Sequence, residues 1–126
     1  MSATAAQTAV LSGPKSVVER GSEDYPERFL RCGSPPDRLY VIGDVTVLRM
    51  PSLSVVGARK ATPYGRGCAR RFSTLAAARG LVIVSGGARG CDSEAHRAAI
   101  AEGAPTVAFL GGGCDRIYPA ENAALF

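Results

Sequence analysis

At 126 residues and 46% hydrophobic, the chain reads as one domain with enough apolar mass for a core. No apolar run approaches the roughly 20 residues a bilayer span needs, and residues 1–10 lack the basic and apolar regions of a secretory signal. The net charge is +4, from 15 basic and 11 acidic residues, and its placement says more than its size.

Between Asp44 and Asp92 there is no acidic residue, yet Arg49, Arg59, Lys60, Arg66, Arg70, Arg71, Arg79 and Arg89 fall there. A stretch of one sign suits a polyanion such as nucleic acid; the alternative is a solvated basic helix face. All but two of the basic residues are arginines, the side chain that grips phosphate bidentately and stacks on bases. The cysteines (Cys32, Cys68, Cys91, Cys114) form no Cys-x-x-Cys pair, and His96 is the single histidine. No zinc site is expected, and the thiols read as reduced, core-filling residues.

In chain order, residues 1–22 read as a flexible, weakly ordered segment broken by Gly13-Pro14 and Gly21-Ser22. Residues 23–50 form a lead-in, with a turn at Ser34-Pro-Pro36. Two short strands, 39–42 and 45–48, are spaced for a hairpin around Gly43-Asp44. From residue 51 the pattern becomes regular. Residues 53–56 predict a buried strand, and residues 63–79 a helix with Cys68, Ala69, Phe72, Leu75 and Ala76 on its inner face and Arg66 and Arg70 opposite. Gly80 closes that helix. A strand follows at 81–84, then a glycine turn and a helix from about 93 to 102 with Asp92 placed to cap it. A third strand spans 106–110, and Tyr118-Pro119 opens a further helix.

This β-α-β-α-β order with short connections predicts a parallel sheet, whose strand-to-helix loops gather at one edge. Three such loops carry glycine: Gly57-Ala-Arg59, Ser85-Gly-Gly-Ala-Arg-Gly90 and Gly111-Gly-Gly-Cys-Asp115. A strand, a glycine turn and a helix in series aim backbone N–H groups at one point, which suits a phosphate. Three strands also leave an open sheet edge, so exposure of Val107, Phe109, Leu125 or Phe126 and self-association are expected.

The motif set resembles the DNA-processing protein A family (DprA, also called Smf). It comprises Ser54-Val-Val-Gly-Ala-Arg-Lys-Ala-Thr-Pro-Tyr-Gly65, Val84-Ser-Gly-Gly-Ala-Arg-Gly-Cys-Asp92, Ala95-His96 and Gly112-Gly-Cys-Asp-Arg-Ile-Tyr-Pro-Ala-Glu-Asn122. Tyr25-Pro26, Pro35-Pro36, Leu39-Tyr40 and Gly43 resemble the segment ahead of that family's main domain, so the likeness covers roughly residues 24–126. It implies an α/β, Rossmann-like three-layer sandwich with a mostly parallel sheet, incomplete at the C-terminus. It further implies a cytoplasmic single-stranded DNA-binding protein of natural transformation, which protects incoming strands and assists loading of a RecA-type recombinase. Neither a cofactor nor turnover is implied. The chain departs from the family pattern at Cys91, where a hydrophobic residue is usual, and at Ala58, where serine is common. The second half of the family's domain, with its dimerisation and recombinase surfaces, is missing from the matched span.

The resemblance points to a DNA-binding set of Arg59, Lys60, Thr62, Gly65, Ser85, Gly86, Gly87, Arg89, Asp92, Arg116, Tyr118 and Asn122. Several have structural alternatives. Thr62 reads equally as a helix N-cap, the Ser85–Gly87 segment as a tight turn needing positive φ, and Tyr118 as a helix-start staple rather than a base-stacking ring. Asp92 and His96, four apart on a helix start, read as a cap with an orienting hydrogen bond or as ligand contacts. The competing function is a nucleotide-handling enzyme of the lysine-decarboxylase-like phosphoribohydrolase type, whose Pro-Gly-Gly-x-Gly-Thr segment is absent here. A dinucleotide-binding dehydrogenase is disfavoured, because Gly57-Ala-Arg-Lys-Ala-Thr is not Gly-x-Gly-x-x-Gly.

Overall fold

The computed structural model describes residues 13–114, 117 and 119–126. Five strands and two α-helices form two units: a two-stranded antiparallel sheet, β1 (Lys15–Glu19) with β2 (Arg38–Ile42), and a three-stranded parallel sheet. The parallel sheet runs β3 (Ser52–Ser54), β4 (Val82–Ser85), β5 (Thr106–Ala108), with α1 (Pro63–Ala78) and α2 (Cys91–Ala101) as crossovers. The β-α-β-α-β order read from the sequence is therefore the observed one.

The lead-in differs from expectation. Within the segment expected to be weakly ordered, residues 15–19 are a strand whose partner is β2, with Lys15 opposite Ile42. No hairpin forms around Gly43-Asp44, because Val45–Arg49 is a 3-10 helix. The cause is local: Asp44 Oδ1 accepts from the Thr46 N–H (2.9 Å) and the Thr46 hydroxyl (2.7 Å), capturing the backbone in a turn despite its β-branched residues. These bonds hold the Asp44 carboxyl below its usual pKa. Arg28, from the 3-10 turn Glu27–Arg31, donates to Ser52 Oγ (2.8 Å) and to the Met50 carbonyl (2.9 Å), tying the lead-in to the start of β3.

β4 is the central strand, with Val82 and Ile83 at 0% exposure. β3 lies at an edge, so the strand expected to be buried leaves Leu53 and Val56 exposed. An apolar run does not itself reveal which strand gains two neighbours. The helical core is built almost wholly from alanine: Ala76, Ala77, Ala95 and Ala99 surround Ile83, with Val55, Leu81 and Ala104 packed against them. The buried row of α1 is Ala69, Ser73, Ala76 and Ala77, while Phe72 is 61% and Leu75 44% exposed. The expected inner face is thus rotated. Small side chains let two helices and a sheet approach closely, and the bulkier Phe72 and Leu75 fall on the flank.

α2 starts two residues earlier than expected, and its N-cap is Gly90 rather than Asp92. β5 ends at Ala108; Phe109 is 46% exposed, its ring 6.0 Å from that of Phe29, while Val107, Leu125 and Phe126 are half-buried. Of the apolar side chains expected to face water, only Phe109 is exposed. The expected final helix is a short 3-10 helix, Ala120–Leu125.

The first two of the three glycine turns sit side by side, locked through backbone contact. The Cys91 N–H donates to the Ala58 carbonyl at 3.2 Å. Gly90 has φ +77° and ψ −124°, and a Cβ there would lie 2.2 Å from Ala58 O and 2.6 Å from Arg59 O. A Cβ on Gly57 would meet Cys91 Sγ at 2.6 Å. Gly90→Ala is therefore expected to cost about 3 kcal/mol or more, from backbone strain plus steric overlap. Gly103→Ala, at φ +67° with nothing near its missing Cβ, should cost about 1–2 kcal/mol. Urea denaturation of the two variants checks the difference; equal losses would refute the interlock.

Candidate nucleic-acid interface

At the carboxyl edge of the parallel sheet the first two glycine turns, α1, α2 and the terminal 3-10 helix enclose an open cleft of about 610 Å³. Arg59, Lys60 and Ala61 come from the first turn and Arg66 from the start of α1. Arg89 and Gly90 come from the second turn, Ser93 and Arg97 from α2, and Glu121 and Asn122 from the 3-10 helix. Five cations and one acid thus line one depression. Arg89 Nε lies 2.7 Å from Glu121 Oε1. Arg59, Lys60, Arg66 and Arg97 make no ion pair among the described residues, so their charge faces the cleft uncompensated by contact.

The surrounding residues explain why this geometry holds. Thr62 caps α1, accepting from the Gly65 N–H at 3.1 Å, and Pro63 takes the first helical position, where a missing N–H costs nothing. That cap sets the start of α1 and so the direction of Arg66. Asp92 Oδ2 accepts from the N–H groups of Gly86 (3.2 Å) and Ala88 (3.3 Å). Its carboxylate therefore shapes the turn preceding α2 instead of capping the helix. The Ser85 hydroxyl donates to the Val55 carbonyl at 2.6 Å, joining the ends of β4 and β3.

Asn122, 1% exposed, is the latch of the terminal segment. Its amide faces the carbonyls of Gly87 (3.0 Å) and Ala88 (3.2 Å) and Ser93 Oγ (2.8 Å). Gly87 has φ +74°, and a Cβ there would crowd Leu110 and Phe126 at 3.1 and 3.2 Å. Of the residues singled out from sequence, the structure sets Arg59, Lys60, Arg89 and Asn122 in the cleft lining. It sets Thr62, Gly65, Ser85, Gly86, Gly87 and Asp92 in the scaffold behind it. Arg116 and Tyr118 lie outside the described residues. Sequence reasoning missed Arg66, Ser93, Arg97 and Glu121. Arg66 was already visible on the polar face of α1, and Arg97, four residues after Ser93 on α2, was the signal for a facing cation.

His96 does not pair with Asp92 by any hydrogen bond among the described residues. The Thr106 hydroxyl donates to the Ile83 carbonyl (2.9 Å), so it accepts from His96 Nδ1–H (2.7 Å), which fixes the tautomer. The His96 ring packs edge-on to Phe126, 5.2 Å between centroids. Burial pushes its pKa down to about 4, against the opposing pull of the Asp92 carboxylate. His96 is therefore a neutral core residue at pH 7. An unfolded histidine protonates near 6.5, so between pH 6.5 and 4 the unfolded chain binds more protons and stability falls as the pH drops. The size is about 3 kcal/mol across that window. NMR titration of this single histidine should give a pKa below 5 in the folded chain, with the urea midpoint declining over the same range. A titration near 6.5 would refute the assignment.

Comparison with known proteins places the cleft in context. Residues 16–126 match the family described as DNA recombination-mediator protein A. Protein Smf of Escherichia coli K12 is 38% identical over 109 residues, which cover 86% of this chain and 29% of that protein. The crystal structure of DNA processing protein A from Streptococcus pneumoniae superposes with a TM-score of 0.82 at 32% identity, over 88% of this chain and 39% of that one. DNA processing protein A from Helicobacter pylori, solved for its single-stranded DNA binding mode, gives a TM-score of 0.76 at 32% identity, over 90% and 50% of the respective chains. The chain therefore spans half or less of each of these relatives.

Proposed function

The chain belongs to the DNA recombination-mediator protein A family, and on that footing we propose that its cleft binds single-stranded DNA through the phosphate backbone, without turnover. The observation that carries the reading is the cluster of Arg59, Lys60, Arg66 and Arg97, cations with no acidic partner among the described residues, around one depression at the edge where α/β folds bind ligands. Arginine supplies planar, bidentate donors that match the nonbridging oxygens of a phosphodiester. The Gly90 turn brings backbone against the same space, as close approach to a phosphate requires.

The proposed role follows the family: protecting a single strand that enters during transformation and passing it to a RecA-type recombinase in the cytoplasm. No helix among the described residues is long and apolar enough to cross a membrane. For binding without turnover, the arrangement supplies positioning and charge. The titratable pair that an acid–base mechanism would recruit, Asp92 and His96, is buried, with Asp92 Oδ2 bonded to the turn and His96 Nδ1 to Thr106.

The test is a titration of a short oligothymidylate across salt concentrations, beside an assay for hydrolysis of nucleoside monophosphates. Four phosphate contacts predict a slope of log K against log salt of roughly −3, at about −0.7 per contact on single strands. Arg59→Ala should weaken binding by about 1–3 kcal/mol. Arg79→Ala should do far less, because Arg79 caps the far end of α1, donating to the Leu75 carbonyl at 2.9 Å. Salt-independent binding, equal losses for the two variants, or nucleotide hydrolysis would each overturn the reading.

A further inference from the structure

Glu121 stands apart in the cleft. It is the one acid among the described lining residues, and it lies against Arg89 with both oxygens engaged: Nε to Oε1 at 2.7 Å and a terminal nitrogen to Oε2 at 3.4 Å. That is the side-by-side geometry in which a guanidinium also holds the two nonbridging oxygens of a phosphodiester. Each carries one negative charge. We infer that Glu121 is an internal competitor for the phosphate position at Arg89, and so a residue that sets the affinity of the cleft for a nucleic-acid strand. The inference rests on the binding reading above and goes beyond it by giving the carboxylate a role.

Three features support exchange rather than a fixed structural pair. The side chains of Arg89 and Glu121 are 53% and 61% exposed, so water reaches the pair. A pair exposed to this degree favours its closed state only a few-fold over the open one. In contrast, the backbone carrying Glu121 is anchored independently, since the neighbouring Asn122 is buried and bonded to Gly87, Ala88 and Ser93. The carboxylate can therefore swing away without unlatching the segment. A strand already held by Arg59, Lys60, Arg66 and Arg97 presents its next phosphate to Arg89 at high local concentration, which one weakly held carboxylate cannot match.

The opposite role is a positioning one, in which Glu121 orients Arg89 for the strand. The two roles have opposite signs on removal of the charge. Glu121→Gln keeps the size of the side chain and should tighten oligothymidylate binding about two- to six-fold at low salt, the population of the closed pair being the competing factor. The gain should shrink as salt rises, because exposed pairs are screened. In an Arg89→Ala background the same substitution should give no gain. Glu102→Gln, which makes the same change of net charge at the far end of α2, should leave affinity unchanged.

Weaker or unchanged binding by Glu121→Gln overturns the inference, as does an equal gain in the Arg89→Ala background or from Glu102→Gln. A wild-type chain that binds no oligothymidylate at low salt overturns the binding reading separately. Inorganic pyrophosphate, followed by the NMR shift of Arg89 Nε, then decides the competitor alone. Few-fold tighter binding by Glu121→Gln than by wild type supports it, and equal or weaker binding removes it.

Discussion

The arrangement depends on how closely two backbone turns approach each other. Gly57 opens the first turn and Gly90 ends the second, and no Cβ fits at either: one would strike Cys91, the other the carbonyls of Ala58 and Arg59. Because Cys91 N–H also bonds to Ala58 O, the start of α2 is fixed against the loop that carries Arg59 and Lys60. A wider contact would separate the cations of the first turn from those of α2 and open the cleft into a flat surface. The electrostatics of the site are therefore a consequence of backbone packing, with glycine supplying both the positive φ and the missing atoms.

The polar residues around the cleft divide by burial. Those that are buried (Ser85, Asp92, Ser93, His96, Asn122) each make at least one hydrogen bond within the protein, although Asp92 Oδ1 and His96 Nε2 have no partner among the described residues. Unpaired groups in such places would be costly, so their hydrogen bonds select one loop geometry. The exposed lining residues include Arg59, Lys60, Arg66, Arg89, Arg97 and Glu121, whose charged side chains reach solvent. Rigid backbone with mobile charged tips is a sound design for a polyanion that must be held at several points without recognition of its sequence.

The core that supports this edge is thin. Alanines bring α1 and α2 onto β4, which gives close packing but little apolar area per residue. Larger apolar side chains sit elsewhere: Phe72 and Leu75 on the flank of α1, Leu53 and Val56 along the edge strand β3. β3 has a neighbour on one side only, as does β5. Only β4 is central, and a parallel strand is covered on both its faces and both its edges when it is central.

The order of strands and helices from residue 51 onward was legible because hydrophobic period, glycine turns and the Thr62-Pro63 start are local signals, each acting within a turn of the chain. The basic character of the edge was legible for a similar reason: an acid-free stretch remains acid-free however it folds. What local signals could not decide was set by neighbours distant in sequence. The pairing of β1 with β2 overrode the apparent weakness of residues 15–19. The buried face of α1 was chosen by the closeness of α2, which favours alanine and serine over Phe72. Asp92 read as a cap from its position, but the folded turn offered it two N–H groups at Gly86 and Ala88, which a linear sequence does not place beside it. The joining of Arg66 and Arg97 to Arg59, and of Glu121 to Arg89, likewise required the helices and the terminal segment to converge. Sequence determined which charges the chain carries and on which elements; only tertiary packing decided which of them share one space, because Coulomb interactions depend on distance in three dimensions.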